Sequence, residues 1–183
     1  SYIQSGLRGI DTVALQEVDY SLPDVPYSEL SKDFIQIVDM PGDNNGEYDG
    51  ADPKQFLFDG DGSWNGNNQQ TFFSQPGNIP HHFTIDLGVN TVLRKVKLEM
   101  PDAQEFNNNN ATRVQIWGRQ DLLFAETSSS TEDDLIDAGW ILMKDVNIDG
   151  ENESVHNFLI SPTASIRFVK YRVVSTVGNN HSQ

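Results

Sequence analysis

Along most of the chain, apolar side chains recur at every second position in short runs, broken by clusters of Gly, Asn, Asp and Pro. A period of two is that of a strand with one buried face, because successive side chains point to opposite sides. It predicts strands over 34–38, 83–87, 92–100, 113–118, 140–148, 155–160 and 166–174. Within 92–100, Val92, Arg94, Val96, Leu98 and Met100 share the core face, while Leu93, Lys95, Lys97 and Glu99 share the mostly wet one. Over 140–148, Trp140, Leu142, Val146 and Ile148 fall on one side, opposite Asp145 and Asn147, and Asp149-Gly150 follows as a hairpin turn. One short helix is expected after Thr131, where Glu132, Asp133 and Asp134 suit a helix N-terminus and Gly139 can close the other end. The pattern is all-β, and seven or more strands suit a sandwich or jelly roll.

Residues 1–30 carry weak periodicity, with Pro23 and Pro26 near their end, and read as a leader or interdomain linker; 31–183 read as one domain. A chain of 183 residues can bury a core without staples, and its 10 Phe, 5 Tyr and 3 Trp offset an apolar share of only 37%. Trp117 and Trp140 sit in strand patterns and read as core.

Charge narrows the partners. With 27 acidic against 12 basic side chains, a net charge of -15 repels a phosphate backbone and disfavours an anionic membrane surface. Nucleic acid is excluded as an expected partner, and no apolar run approaches the ~20 residues of a membrane span, so no direct membrane insertion is expected. Neutral ligands, cations and basic partners remain. The absence of cysteine removes disulfides, zinc thiolate sites and thiol nucleophiles. No nucleophile elbow, zinc-protease helix, phosphate loop or dinucleotide fingerprint occurs, so the chain is read as no enzyme.

Two aromatic-polar segments carry the candidate chemistry. Sugar binding needs an aromatic face against the apolar side of a pyranose, with amides, carboxylates or imidazoles for its hydroxyls. Trp64 stands before Asn65-Gly66-Asn67-Asn68-Gln69-Gln70, and Phe106 before Asn107-Asn108-Asn109-Asn110. Trp64, Asn67, Phe106, Asn108 and Asn109 are the candidate ligand contacts, and the alternatives are a Trp64 folded back onto the sandwich and a solvated linker around Phe106. His81 and His82 precede a strand, so alternation sends one inward and one outward; His82 reads as the packed one and His81 as the candidate contact, with a plain surface residue as its alternative. Asp59-Gly60-Asp61-Gly62-Ser63 sets oxygen donors at alternate positions, as a hard cation requires, or forms a plain Asp/Gly turn.

The run Leu57-Phe58-Asp59-Gly60-Asp61-Gly62-Ser63-Trp64, followed by Pro80-His81-His82-Phe83-Thr84-Ile85-Asp86-Leu87-Gly88, resembles the opening of discoidin-like, galactose-binding-fold domains. The strands Arg113-Val114-Gln115-Ile116-Trp117-Gly118 and Phe168-Val169-Lys170-Tyr171-Arg172-Val173 are similar to later core strands of that family. The resemblance is nearest to the versions in surface lipoproteins of Bacteroidetes glycan-utilisation systems. It implies a jelly-roll β-sandwich of about eight antiparallel strands, with a structural Ca2+ whose ligands here would be Asp59, Asp61 and Ser63, and loops at one end that hold a glycan. It also implies an extracytoplasmic setting, at the cell surface or secreted. The second function compatible with it is a structural or protein-interaction domain among the other proteins of a surface glycan-uptake assembly, since the same fold serves many roles.

Overall fold

The computed structural model describes residues 28–43, 57–58, 79–100, 110–122, 131–149, 152–160 and 164–178. Seven strands are present among them: β1 (Gln36–Val38), β2 (His81–Thr91), β3 (Lys95–Glu99), β4 (Ala111–Arg119), β5 (Ile141–Asn147), β6 (Val155–Leu159) and β7 (Ile166–Thr176). One 3-10 turn (Lys32–Phe34) precedes them, and one helix, α1 (Glu132–Asp137), lies between β4 and β5. Among the described residues no helix is long and apolar enough to cross a membrane.

The strands form two antiparallel sheets, one of five in the order β1-β2-β7-β4-β5 and one of two, β3-β6. Between the sheets, Phe83, Leu87, Val114, Ile116, Val169, Tyr171 and Val173 of the larger meet Val96, Leu98 and Phe158 of the smaller, with Ile160 just after β6. The architecture is a β-sandwich, and its core is the set of alternate positions that the period-two pattern marks. In β3, Lys95, Lys97 and Glu99 are exposed while Val96 and Leu98 pack inward, as the alternation requires. In β7 the inward residues Val169, Tyr171 and Val173 alternate with Phe168, Lys170 and Arg172 on the opposite, outer face.

That outer face is also covered. A second apolar cluster of Trp117, Leu135 and Trp140, joined by Met40, Leu122, Ala138 and Phe168, lies there beneath α1. The helix starts where expected: Thr131 caps it, its Oγ1 accepting from the Asp134 amide at 3.2 Å. Gly139, at φ 83°, leads the chain out of it. Six residues are too few for a helix to hold alone, so α1 depends on burying Leu135, which is fully enclosed.

One expectation about β5 is corrected. The β4–β5 register slips between Ile116 and Trp117, so Ile116 opposes Lys144 while Trp117 opposes Leu142. This bulge inserts Met143 as an extra residue and re-aims its neighbours. Met143 enters the main core, Leu142 turns outward at 40% exposure, and Trp140 joins the second cluster instead of the main one. Trp117 and Trp140 are core residues, on the outer face of the larger sheet.

β2 bends at Gly88, whose φ of 74° L-residues with a Cβ rarely adopt and whose backbone lies against Phe34. Pairing with β7 is interrupted between Asp86 and Thr91 there. Asp86 holds the bend by accepting from the Gly88 amide at 2.8 Å and from Arg167 Nε and Nη2 at 2.8 and 2.9 Å.

Candidate ligand-binding end and the buried polar face

β2 and β4 run in the same direction on either side of β7, so their first residues lie at the same end of the sandwich: His81 opposes Val173 and Ala111 opposes Thr176. β1 and β5 run the other way, and their last residues, Val38 and Asn147, finish at this end, paired with Thr84 and Arg113. The segment before β2, which carries Trp64, and the segment before β4, which carries Phe106, therefore both join the described fold at one end. The junction is closely hydrogen-bonded. The Val177 amide donates to the Asn110 carbonyl at 3.0 Å, Ile148 to Thr112 at 2.9 Å and Met100 to Ser154 at 2.8 Å, while the Thr112 and Ser175 hydroxyls meet at 2.8 Å.

Of the candidate residues, Trp64, Asn67, Phe106, Asn108 and Asn109 lie outside the described residues, as do Asp59, Asp61 and Ser63 of the cation loop. Among the described residues no group of three His, Cys, Asp or Glu is placed to hold a metal ion. His81 is described and is 4% exposed at the first position of β2. It shares the core-facing side of the strand with Phe83 and Ile85, and His82 takes the outer side. The two histidines do point to opposite faces, but in the reverse of the expected sense: His81, the candidate contact or surface residue, takes the core side and His82 the outer one. Both are enclosed because the outer face of this sheet is not left to water.

On that face lie two polar networks for which no functional role was read from the sequence. In the first, the fully buried Lys170 Nζ donates to Asp43 Oδ1 at 2.5 Å and to Thr84 Oγ1 at 2.8 Å, and stands 5.0 Å from the centre of the Trp140 ring. Asp43 comes from a short strap that follows β1. There Gly42 adopts a φ of 80°, the Asp43 amide donates to the Met40 carbonyl at 3.0 Å, and Met40 packs into the second apolar cluster. Asp43 Oδ1 is also 3.4 Å from His82 Nε2, outside hydrogen-bonding geometry.

Burial dominates the ionisation of this group. Loss of solvent pushes the His82 imidazole from 6.5 down to about 3, helped by the positive charges of Lys170 and Arg172 and by His81. Its ring is neutral at physiological pH. Burial pushes the Asp43 carboxyl up and the Lys170 ammonium down, and each is opposed by the charge of the other.

In the second network Gln115 is the hub. Its amide nitrogen donates to Glu132 Oε1 at 2.8 Å and Asp145 Oδ2 at 2.9 Å, and its oxygen accepts from Trp117 Nε1 at 3.2 Å and Arg172 Nη1 at 2.6 Å. The Arg113 guanidinium closes on both oxygens of Asp145 at 2.9 and 2.5 Å and holds that carboxyl below its ordinary range. Glu132 is the first residue of α1, so this network ties the helix to the sheet. The readable signal was the alternation of Lys170 and Arg172 with apolar residues in a strand that lies mid-sheet.

The family model DUF5000, a domain of unknown function, matches residues 58–157. No match to a curated protein was found. Among solved structures, SusE-like protein BT2857 superposes with a TM-score of 0.63 at 17% identity, over 84% of this chain and 94% of that one. CBM32-1 of a family 31 glycoside hydrolase from Clostridium perfringens does so with a TM-score of 0.57 at 18% identity, over 85% and 92%. CpGH89CBM32-5 from Clostridium perfringens, solved in complex with GalNAc-β-1,3-galactose, gives 0.55 at 16% identity, over 84% and 93%. At these identities the likeness is one of architecture. The fold is the galactose-binding-like, discoidin-type β-sandwich that the opening motifs resemble.

Proposed function

This chain belongs to the DUF5000 family, and from that premise we propose that it is a non-catalytic glycan-binding module of a surface-exposed or secreted protein. The observation that carries the proposal is the convergence of strand ends. The Trp64 and Phe106 segments join the sandwich at the same end, through His81 and Ala111 on either side of β7. An aromatic from each segment would give a sugar two apolar faces, with Asn67, Asn108 and Asn109 to take its hydroxyls. His81, enclosed at the start of β2, belongs beneath such a site and would shape its floor. The complex of a structural neighbour with GalNAc-β-1,3-galactose supports a neutral oligosaccharide as the ligand class, and such a ligand is compatible with a chain of net charge -15.

The test is a glycan array followed by calorimetry on the whole chain and on Trp64→Ala. The expected result is millimolar to micromolar binding of a neutral oligosaccharide, weakened at least about tenfold by the substitution, as loss of a stacking aromatic worth over ~1.4 kcal/mol requires. If no sugar binds at millimolar concentration, or if Trp64→Ala binds as the parent does, the proposal fails.

A further inference from the structure

The two sheets have four edge strands among the described residues: β1, β5, β3 and β6. An open edge is a template for another chain, and proteins blunt it with short strands, charges, proline or bulges. β1 has three residues, β5 carries Lys144, Asp145 and the slip beside Met143, and β3 carries Lys95, Lys97 and Glu99. β6, which reads Val155-His156-Asn157-Phe158-Leu159, has none of these devices. It contains no Asp, Glu, Lys, Arg or Pro, and its register against β3 is unbroken. On its outer face Val155 is 41% and Leu159 66% exposed, with the exposed Asn157 between them.

The bonds at its two ends fix where its free backbone groups point. The Ser154 carbonyl accepts from the Met100 amide and the Ile160 amide donates to the Arg94 carbonyl, both at 2.8 Å. In an antiparallel ladder the N–H and C=O of one residue point to the same side, and that side alternates along the strand. Residues 154, 156, 158 and 160 thus turn theirs to β3. Val155, Asn157 and Leu159 turn theirs to the open edge.

We propose that β6 is the seam of a symmetric dimer, in which two copies of this chain pair their β6 strands antiparallel about a two-fold axis at Asn157. This goes beyond the glycan reading and does not rest on it.

The strand is matched to itself in that register. Asn157 meets its own counterpart on the axis, and Val155 of each copy meets Leu159 of the other on the same face. Each of these pairs exchanges both backbone bonds, and the aliphatic pairs cover side chains that are otherwise in water. The smaller sheets then run on as one, in the order β3-β6-β6-β3. Charge favours a second copy at this edge. Two chains of net charge -15 repel, but β6 brings no charged carboxylate to the seam, and its neighbours across β3 are Lys95 opposite Leu159 and Lys97 opposite Asn157. A charged strand of another protein would set its charge against Val155 or Leu159, whereas a second β6 sets none. Five residues a side is small beside the ~1,200–2,000 Å² of a stable complex, so the dimer is a weak one. Because the pairing is antiparallel, the candidate ligand-binding ends of the two copies face opposite ways, and the seam covers neither.

Sedimentation of the whole chain from micromolar to millimolar concentration tests the seam, at ~0.15 M salt so that its charge reaches only ~8 Å. The expected result is a concentration-dependent dimer. Its dissociation constant should rise at least about tenfold in Asn157→Lys, which brings two ammonium groups together on the axis, and in Leu159→Lys. It should not change in Ile141→Lys, a like substitution at a 43% exposed residue of the larger sheet. In the parent chain the amide resonances of Val155, Asn157 and Leu159 should move with concentration, and those of His156 and Phe158, which face β3, should move less. A chain that stays monomeric at millimolar concentration overturns the proposal. So does a dimer that Ile141→Lys weakens and both β6 variants leave unchanged. Should the β6 variants not fold, the parent's amides decide: shifts centred on β6 support the seam, and shifts that spare β6 and fall on β1 or β5 overturn it.

Discussion

Replacing Lys170 by Met leaves the Asp43 carboxylate enclosed without a counter-charge, and replacing Asp43 by Asn does the same to the ammonium. Both side chains are at most 1% exposed, so solvent screening takes little from their interaction. At 2.5 Å and an effective dielectric of about 20, the attraction is about 6–7 kcal/mol. The desolvation of two ions, several kcal/mol each, offsets most of it. The pair therefore adds little net stability, while either half alone is expensive. Each single substitution is expected to cost about 3–5 kcal/mol. The double variant Asp43→Asn with Lys170→Met carries no buried charge here and is expected to lie within about 2 kcal/mol of the parent. The coupling energy should then be at least about 3 kcal/mol. Urea unfolding of the four proteins at pH 7, followed by tryptophan fluorescence, measures it, since Trp140 sits 5.0 Å from the ammonium. A coupling below about 1 kcal/mol, the size of an exposed pair, would refute the reasoning that these charges are sealed from water.

Two further outcomes follow from the packing and the charge bridges. At Gly118 a methyl group would overlap Met143 Sδ and come within 3.0 Å of Ile166 Cγ2, so Gly118→Ala is expected to destabilise by about 1–3 kcal/mol in chemical denaturation; an unchanged midpoint would show that β4 does not sit against the bulged Met143. The Asp86 carboxyl is held below its ordinary range first by the Arg167 hydrogen bonds and also by the Gly88 amide. Its stabilisation is present above pH 4 and lost as pH falls through the depressed value, so Asp86→Asn should cost about 1–2 kcal/mol at pH 7 and progressively less as pH falls below 4, and a cost that does not change with pH would rule the charge out as the cause.

What was legible in the sequence was what one-sided burial writes into it. The alternation of Val96 and Leu98 with Lys95, Lys97 and Glu99 places β3 and its faces, and Thr131 with Gly139 brackets α1. The Asp59 and Asp86-Leu87-Gly88 motifs carry the fold family. Three things were not legible, for physical reasons. The cover over Lys170 comes from Asp43, 127 residues away, so a polar face that reads as solvated turns out to be enclosed. The inversion at Leu142 and Met143 comes from a slip opposite Trp117, which leaves no trace in β5 itself. Of the candidate binding residues the fold places His81 alone, and it turns that ring toward the core because β2 begins at His81, two residues before the apolar pattern that starts at Phe83, so His81 falls on the same face as Phe83.

The place of β7 has a consequence for how the chain acquires its shape. This strand is the last of the seven in sequence and lies in the middle of the larger sheet, between β2 and β4. Until Ile166–Thr176 has been synthesised, those two strands have no edge to join, and the Asp43 carboxylate and the Gln115 amide oxygen lack Lys170 and Arg172. Folding must then wait on contacts between residues far apart in sequence, which slows it and leaves strand edges open to other chains meanwhile. A nascent chain ending short of Ile166 thus holds two halves of a sheet with a gap between them, and the strand that fills the gap is the one made last of the seven.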